Sequence, residues 1–200
     1  LATMSRQTLK ILAIILAVIL AIIALSILLP EPPPSCDRPP TTSAVRPGSR
    51  FDYMFAGTWS NQELSCTRKA LDAWNAALLP INQVQFRPVI IGNPPNIVFI
   101  HKDHKESVGG ATSGKSYDED GYITGYAISL TTNTDLVSSC EGIYKVMLHE
   151  LGHGLGLDHP WGINGSSVMN SMSGPNDRGG NIASSPTVCD LEQIRLAQPH

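Results

Sequence analysis

Hydrophobic positions along this chain follow two different regimes. From Ile11 to Leu29 nearly every position is apolar, none is charged, and only Ser26 interrupts the run. At about 1.5 Å per residue, a helix over these residues approaches the ~30 Å hydrocarbon thickness of a bilayer. From Arg50 onward the pattern turns periodic. Arg50 to Phe55 alternates loosely and carries aromatics, which predicts a strand. Leu64, Leu71, Trp74 and Leu78 recur at helical spacing within Asn61 to Leu79, and Pro80 ends that helix. Gln83 to Ile91, Asn96 to His101 and Tyr122 to Leu130 read as short strands, the first two separated by Gly92-Asn93-Pro94-Pro95. A second helix opens near Ser138, Ser139, Cys140 and Glu141. Its Tyr144, Leu148, Leu151 and Leu155 form one stripe at about 100° per residue. His149 and His153 point almost oppositely, with Glu150 to one side. Asp190 to Leu196, opened by Pro186-Thr187, predicts a closing helix, and no internal repeat is visible.

Charge and composition organise these segments. Arg6 and Lys10 precede the apolar run, while Glu31 and prolines follow it. The positive flank assigns residues 1–10 to the cytoplasm and residues 11–29 to a transmembrane signal anchor, with the remainder outside. A cleaved signal peptide, giving a secreted form, is the competing reading. Its apolar region is usually shorter, about 7–15 residues, and ends in a small-residue cleavage site that is not evident here. Residues 30–47 are rich in proline, serine and threonine and read as an extended stalk. Residues 48–200 are long enough to bury a core. The net charge of −3, with no basic block beyond the anchor flank, gives nucleic acid no electrostatic footing. Four cysteines, Cys36, Cys66, Cys140 and Cys189, suit an oxidising compartment and predict disulfides. Three pairings are open. The expected one joins Cys140 to Cys189, tying the second helix to the last, and Cys36 to Cys66.

The chemistry concentrates in His149-Glu150-Leu151-Gly152-His153-Gly154-Leu155-Gly156-Leu157-Asp158-His159. Two histidines four residues apart sit on one helix face, one turn from each other. Each can offer a neutral ring nitrogen to one Zn²⁺. Gly156 tolerates backbone angles that end the helix, and the turn can bring His159 back as a third ligand. Three protein ligands leave one tetrahedral position for water, the arrangement of a catalytic rather than a structural site. Glu150 is placed to take a proton from that water. Ser167-Val168-Met169-Asn170 follows, with Met169 where a turn would pass beneath the metal; Met172 is the alternative.

This H-E-x-x-H-x-x-G-x-x-H motif with a downstream methionine resembles the metzincin metallopeptidases, and its wording is most similar to the matrixins. The lack of a Tyr at the expected offset after Met169 argues against an astacin-like or serralysin-like assignment. The resemblance covers roughly Arg50 to Arg195 and implies an α+β, zincin-like domain. That domain would have a twisted, mostly parallel five-stranded sheet, an active-site helix and a C-terminal helix, here preceded by the membrane helix. It implies one catalytic zinc on His149, His153 and His159, with Glu150 as general base and Met169 in the Met-turn. It further implies an edge strand near Gly110, Ala111 and Thr112 that pairs with a protein or peptide substrate, although the glycines also suit a flexible loop. The segment from Ser171 to Asn181 would wall the specificity pocket. Asp118-Glu119-Asp120-Gly121 could offer oxygens to Ca²⁺ but reads more simply as a solvated turn. His101, Asp103 and His104 do not reproduce the family's structural-zinc spacing and read as surface residues. Pro34-Ser35-Cys36-Asp37 lacks the Arg and Gly of a matrixin latency motif. The expectation is a monomeric, membrane-anchored extracytoplasmic endopeptidase. The rivals are a non-catalytic zinc-stabilised binding module and a metal-dependent amidase.

Overall fold

The computed structural model describes residues 43–102, 109–131, 137–159, 167–170, 183–197 and 199. The predicted anchor, most of the predicted stalk and Cys36 lie outside the described residues. Among the described residues, no helix is long and apolar enough to cross a membrane.

Among the described residues the elements in chain order are β1 (Arg50–Phe55), α1 (Asn61–Leu78), β2 (Gln85–Pro88), β3 (Ile97–His101), β4 (Gly110–Tyr117), β5 (Ile123–Leu130), α2 (Cys140–Gly154) and α3 (Val188–Leu196). The strands form one five-stranded sheet in the order β2-β1-β3-β5-β4. The β1–β2, β1–β3 and β3–β5 pairs are parallel, and β4 runs antiparallel to β5 at the edge. The result is an α+β domain on a mostly parallel sheet.

Local chemistry sets the helix ends. Ser60 caps α1 by accepting from Glu63 N (3.2 Å), and the Glu63 carboxylate accepts from Ser60 N (2.7 Å), a reciprocal capping box. Thr187 and Asp190 make the same box at α3, which therefore starts two residues before the predicted Asp190. The predicted strand Gln83 to Ile91 shortens at both ends. Gln83 adopts a left-handed φ of 59°, and beyond Pro88 the chain leaves the sheet with Ile90 and Ile91 exposed.

One hydrophobic cluster joins the sheet to the helices. It takes Phe51, Ile97, Phe99 and Ile128 from the strands, Leu71 and Trp74 from α1, and Met147, Leu148 and Leu151 from α2. Trp74 is fully buried and donates from Nε1 to Leu148 O (3.0 Å), so α1 braces the metal-motif helix directly. Ser43, Ala44 and Val45, inside the predicted stalk, are also buried; Ile123 N donates to Ala44 O (2.8 Å). The folded body therefore includes them.

The cysteine pairing differs from expectation. Cys66 is bonded to Cys140, with Cα atoms 5.5 Å apart, which excludes both Cys140–Cys189 and Cys36–Cys66. The cause is the packing of α1 on α2, which sets the second turn of one helix against the first residue of the other. Cys189 is also disulfide-bonded.

Candidate metal centre

Helix α2 begins at the N-cap Ser139, whose side chain accepts from Gly142 N (3.1 Å). Its residues from Val146 to Gly152 are all buried, so the amphipathic stripe seen in the sequence understates how enclosed the helix is. At its end Leu155 N reaches back to Leu151 O (2.9 Å), and Gly156 turns with φ +94°. A Cβ at Gly156 would also collide with the main-chain oxygen of Ser43. Two independent constraints thus select glycine there. Past the turn, Leu157 N returns to Gly152 O (2.9 Å), and the chain delivers His159 to the two helix histidines.

The ligating atoms of His149, His153 and His159 lie within 4.8 Å of one another. His149 Nε2 and His159 Nε2 are 3.0 Å apart. The Nδ1 of His149 lies 2.9 Å from Val168 O, and that of His153 lies 2.9 Å from Leu157 O. A carbonyl only accepts, so each Nδ1 carries the proton and each Nε2 presents its lone pair inward. Burial pushes the His149 imidazole down to about 4 and lowers that of His153, which keeps both rings neutral. Lone pairs converging this closely repel unless a cation lies among them. Ideal Zn–N bonds of ~2.0–2.1 Å place tetrahedral nitrogens about 3.4 Å apart, between the 3.0 Å of the His149–His159 pair and the 4.8 Å that bounds all three. The residues present fit a zinc ion.

The floor of the site comes from Ser167, Val168, Met169 and Asn170, all buried. Met169 packs its sulfur against Gly152, where a Cβ would collide with Sδ. Its backbone N donates to Ser167 Oγ (2.8 Å). Asp190, fully buried on α3, organises this turn. It accepts from Ser167 Oγ, from Val168 N (3.3 Å), and from Thr187 N and Oγ1 (both 2.8 Å). One carboxylate therefore caps α3 and holds the strip whose carbonyl orients His149. Sequence reasoning placed Asp190 at the helix start and missed this role; the T-x-x-D spacing signals the cap alone, not the hold on Ser167 and Val168.

Glu150 is 6% exposed. Burial pushes its carboxyl up to about 7, against the opposing pull of hydrogen bonds from Thr112. Thr112 Oγ1 lies 2.9 Å from Glu150 Oε2 and 2.7 Å from Glu150 O. Gly110 makes that reach possible: a Cβ there would lie 2.8 Å from a Val146 methyl and 2.9 Å from Ser129 O. Gly110, Ala111 and Thr112 are therefore strand residues, Gly110 and Thr112 pressed against α2, and not a loose loop.

Other sequence candidates lie away from this centre. Asp118 and Asp120 both take Arg46 Nη2, at 3.0 and 2.6 Å, and Asp118 Oδ1 also accepts from the turn amides of Asp120 and Tyr122. Two of the three carboxylates of the acidic turn considered for Ca²⁺ thus share one guanidinium. His101 stacks on Trp59 with ring centroids 4.1 Å apart and places Nε2 3.1 Å from Glu63 Oε1. Asp103, His104, Met172 and the segment 171–181 lie outside the described residues.

No family model matches this chain, and no curated protein matches it. Among solved structures it is similar to high choriolytic enzyme 1, a hatching enzyme zinc-protease from Oryzias latipes (medaka fish). The identity is 14%, over 84% of this chain and 96% of that one, with a TM-score of 0.45. A likeness at that level carries no assignment of activity. The three converging histidines beside a buried carboxylate have to supply it.

Proposed function

We propose that this chain is a zinc-dependent endopeptidase of metzincin type, matrixin-like in the wording of its motif. One observation carries the reading. Three imidazole Nε2 atoms converge, with the Nδ1 of two of them turned to carbonyls, and the carboxylate next to the first ligand is buried beside an edge strand. His149, His153 and His159 would hold the metal. When bound, Zn²⁺ supplies Lewis acidity that activates water and polarises a carbonyl.

The protein's own groups do the rest. Glu150 Oε1 accepts a proton from the attacking water and returns it to the leaving amine. The carbonyls of Val168 and Leu157 hold two imidazoles in the tautomer that leaves Nε2 free. Residues Gly110, Ala111 and Thr112 on β4 offer main-chain groups to an extended peptide, which selects for backbone rather than for one side chain. The reading includes attachment through residues 11–29, with the catalytic domain outside the cytoplasm. The apolar run, its basic flank and the disulfide support that placement.

Zinc content and turnover measured together test it. Glu150→Ala should keep one zinc per chain and lose nearly all peptide cleavage, whereas His153→Ala should lose both. Stoichiometric zinc with no cleavage in the wild type would instead favour a zinc-stabilised binding module.

A further inference from the structure

The edge strand does more at this site than face a substrate. Strand residues two apart share a face, so Gly110 and Thr112 both look onto α2. The missing side chain at Gly110 lets β4 sit close to Val146, and Thr112 then spans the short gap to Glu150. We propose that Thr112 is a positioning residue for the Glu150 carboxylate, pinning Oε2 so that Oε1 stays free to exchange the proton of the reaction. This rests on Glu150 being the general base.

Threonine suits that task on two counts. Its β-branched side chain is stiff about χ1, and the 2.7 Å contact with Glu150 O fixes the hydroxyl relative to the helix. The hydroxyl has one proton to give and lone pairs that accept. With Glu150 ionised, the single Oγ1–H is shared between Oε2 and Glu150 O. When Oε1 takes the proton, Oε2 keeps lone pairs that still accept from the same hydroxyl. Thr112 therefore partners the base in both protonation states without moving a heavy atom. A carboxylate without such a partner could turn both oxygens away from the ligand nitrogens.

A purely structural role, stapling β4 to α2 through the Glu150 carbonyl, predicts something different, because that carbonyl survives when the carboxylate is removed. The test uses the 200-residue chain with Thr112→Val, Thr112→Ser, Glu150→Ala and the Thr112→Val/Glu150→Ala pair. Thr112→Val should lower kcat about 10–100-fold with KM and zinc content unchanged, and Thr112→Ser should restore most of it. In metal-free protein, the loss of melting temperature caused by Thr112→Val should shrink in the Glu150→Ala background. Wild-type kcat in Thr112→Val, no rescue by Ser, or an equal melting loss in both backgrounds overturns the proposal alone. Absence of Glu150-dependent cleavage in the wild type overturns the endopeptidase reading and this proposal together.

Discussion

Gly156 carries two constraints at once, a φ of +94° and a neighbouring Ser43 carbonyl that leaves no room for a Cβ. Gly156→Ala should therefore cost about 1–2 kcal/mol for the left-handed backbone alone, plus the displacement of Ser43. Thermal unfolding should show the loss. Zinc titration should show weaker binding as well, because the same turn sets Leu157 O against His153 Nδ1. An unchanged melting temperature would contradict this account of the turn. At this scale the sequence was legible wherever the chemistry is local. His149 and His153 share a face by helical periodicity alone, and Gly156 announces the turn that returns His159. Thr112 and Asp190 were not legible in these roles. Their partners lie 38 and 22–23 residues away, and no local pattern encodes which strand or turn will be brought to them.

Between elements, the Cys66–Cys140 bond ties α1 to the start of the metal-motif helix across a sequence separation of 74. By loop-closure entropy such a crosslink is worth about 4 kcal/mol. The Cys66→Ala/Cys140→Ala double variant should lose roughly 10 °C in melting temperature for a body of this size. A loss under about 2 °C would show that helix packing alone holds α1 on α2. The bond was misjudged from sequence because cysteine spacing does not reveal which helices pack together. The helices and the strands β1, β2, β3 and β5 were predictable from sequence pattern and β4 only from the family resemblance, whereas their ends depended on caps and on Gln83. The capping box of α1 gives a pH prediction. Burial raises the Glu63 carboxyl, but hydrogen bonds from Ser60 and His101 outweigh it, so the net shift is downward from 4.5. A depressed folded pKa adds stability that is complete above 4.5 and lost as pH falls through the lower folded value. Chemical denaturation from pH 6 to 3 should therefore show a smaller acid-induced loss in Glu63→Gln than in the wild type.

Across the whole molecule, the sheet order places β4 at the edge and α2 beside it, so the proposed base, ligands and substrate strand meet at one side of the domain. The α+β class and the mostly parallel sheet follow the family resemblance; the domain's reach back to Ser43 does not. That reach depends on Ala44 pairing beside β5, a contact invisible in a proline- and serine-rich stretch. The central claim is that three histidines hold a zinc ion whose chemistry Glu150 completes. Its most direct test is cleavage of a mixed peptide library by the 200-residue chain, before and after metal removal and again after adding one equivalent of zinc. The account predicts cleavage that chelation abolishes and zinc restores, with Glu150→Ala inactive throughout. Cleavage that survives chelation, or that Glu150→Ala retains in full, would contradict it.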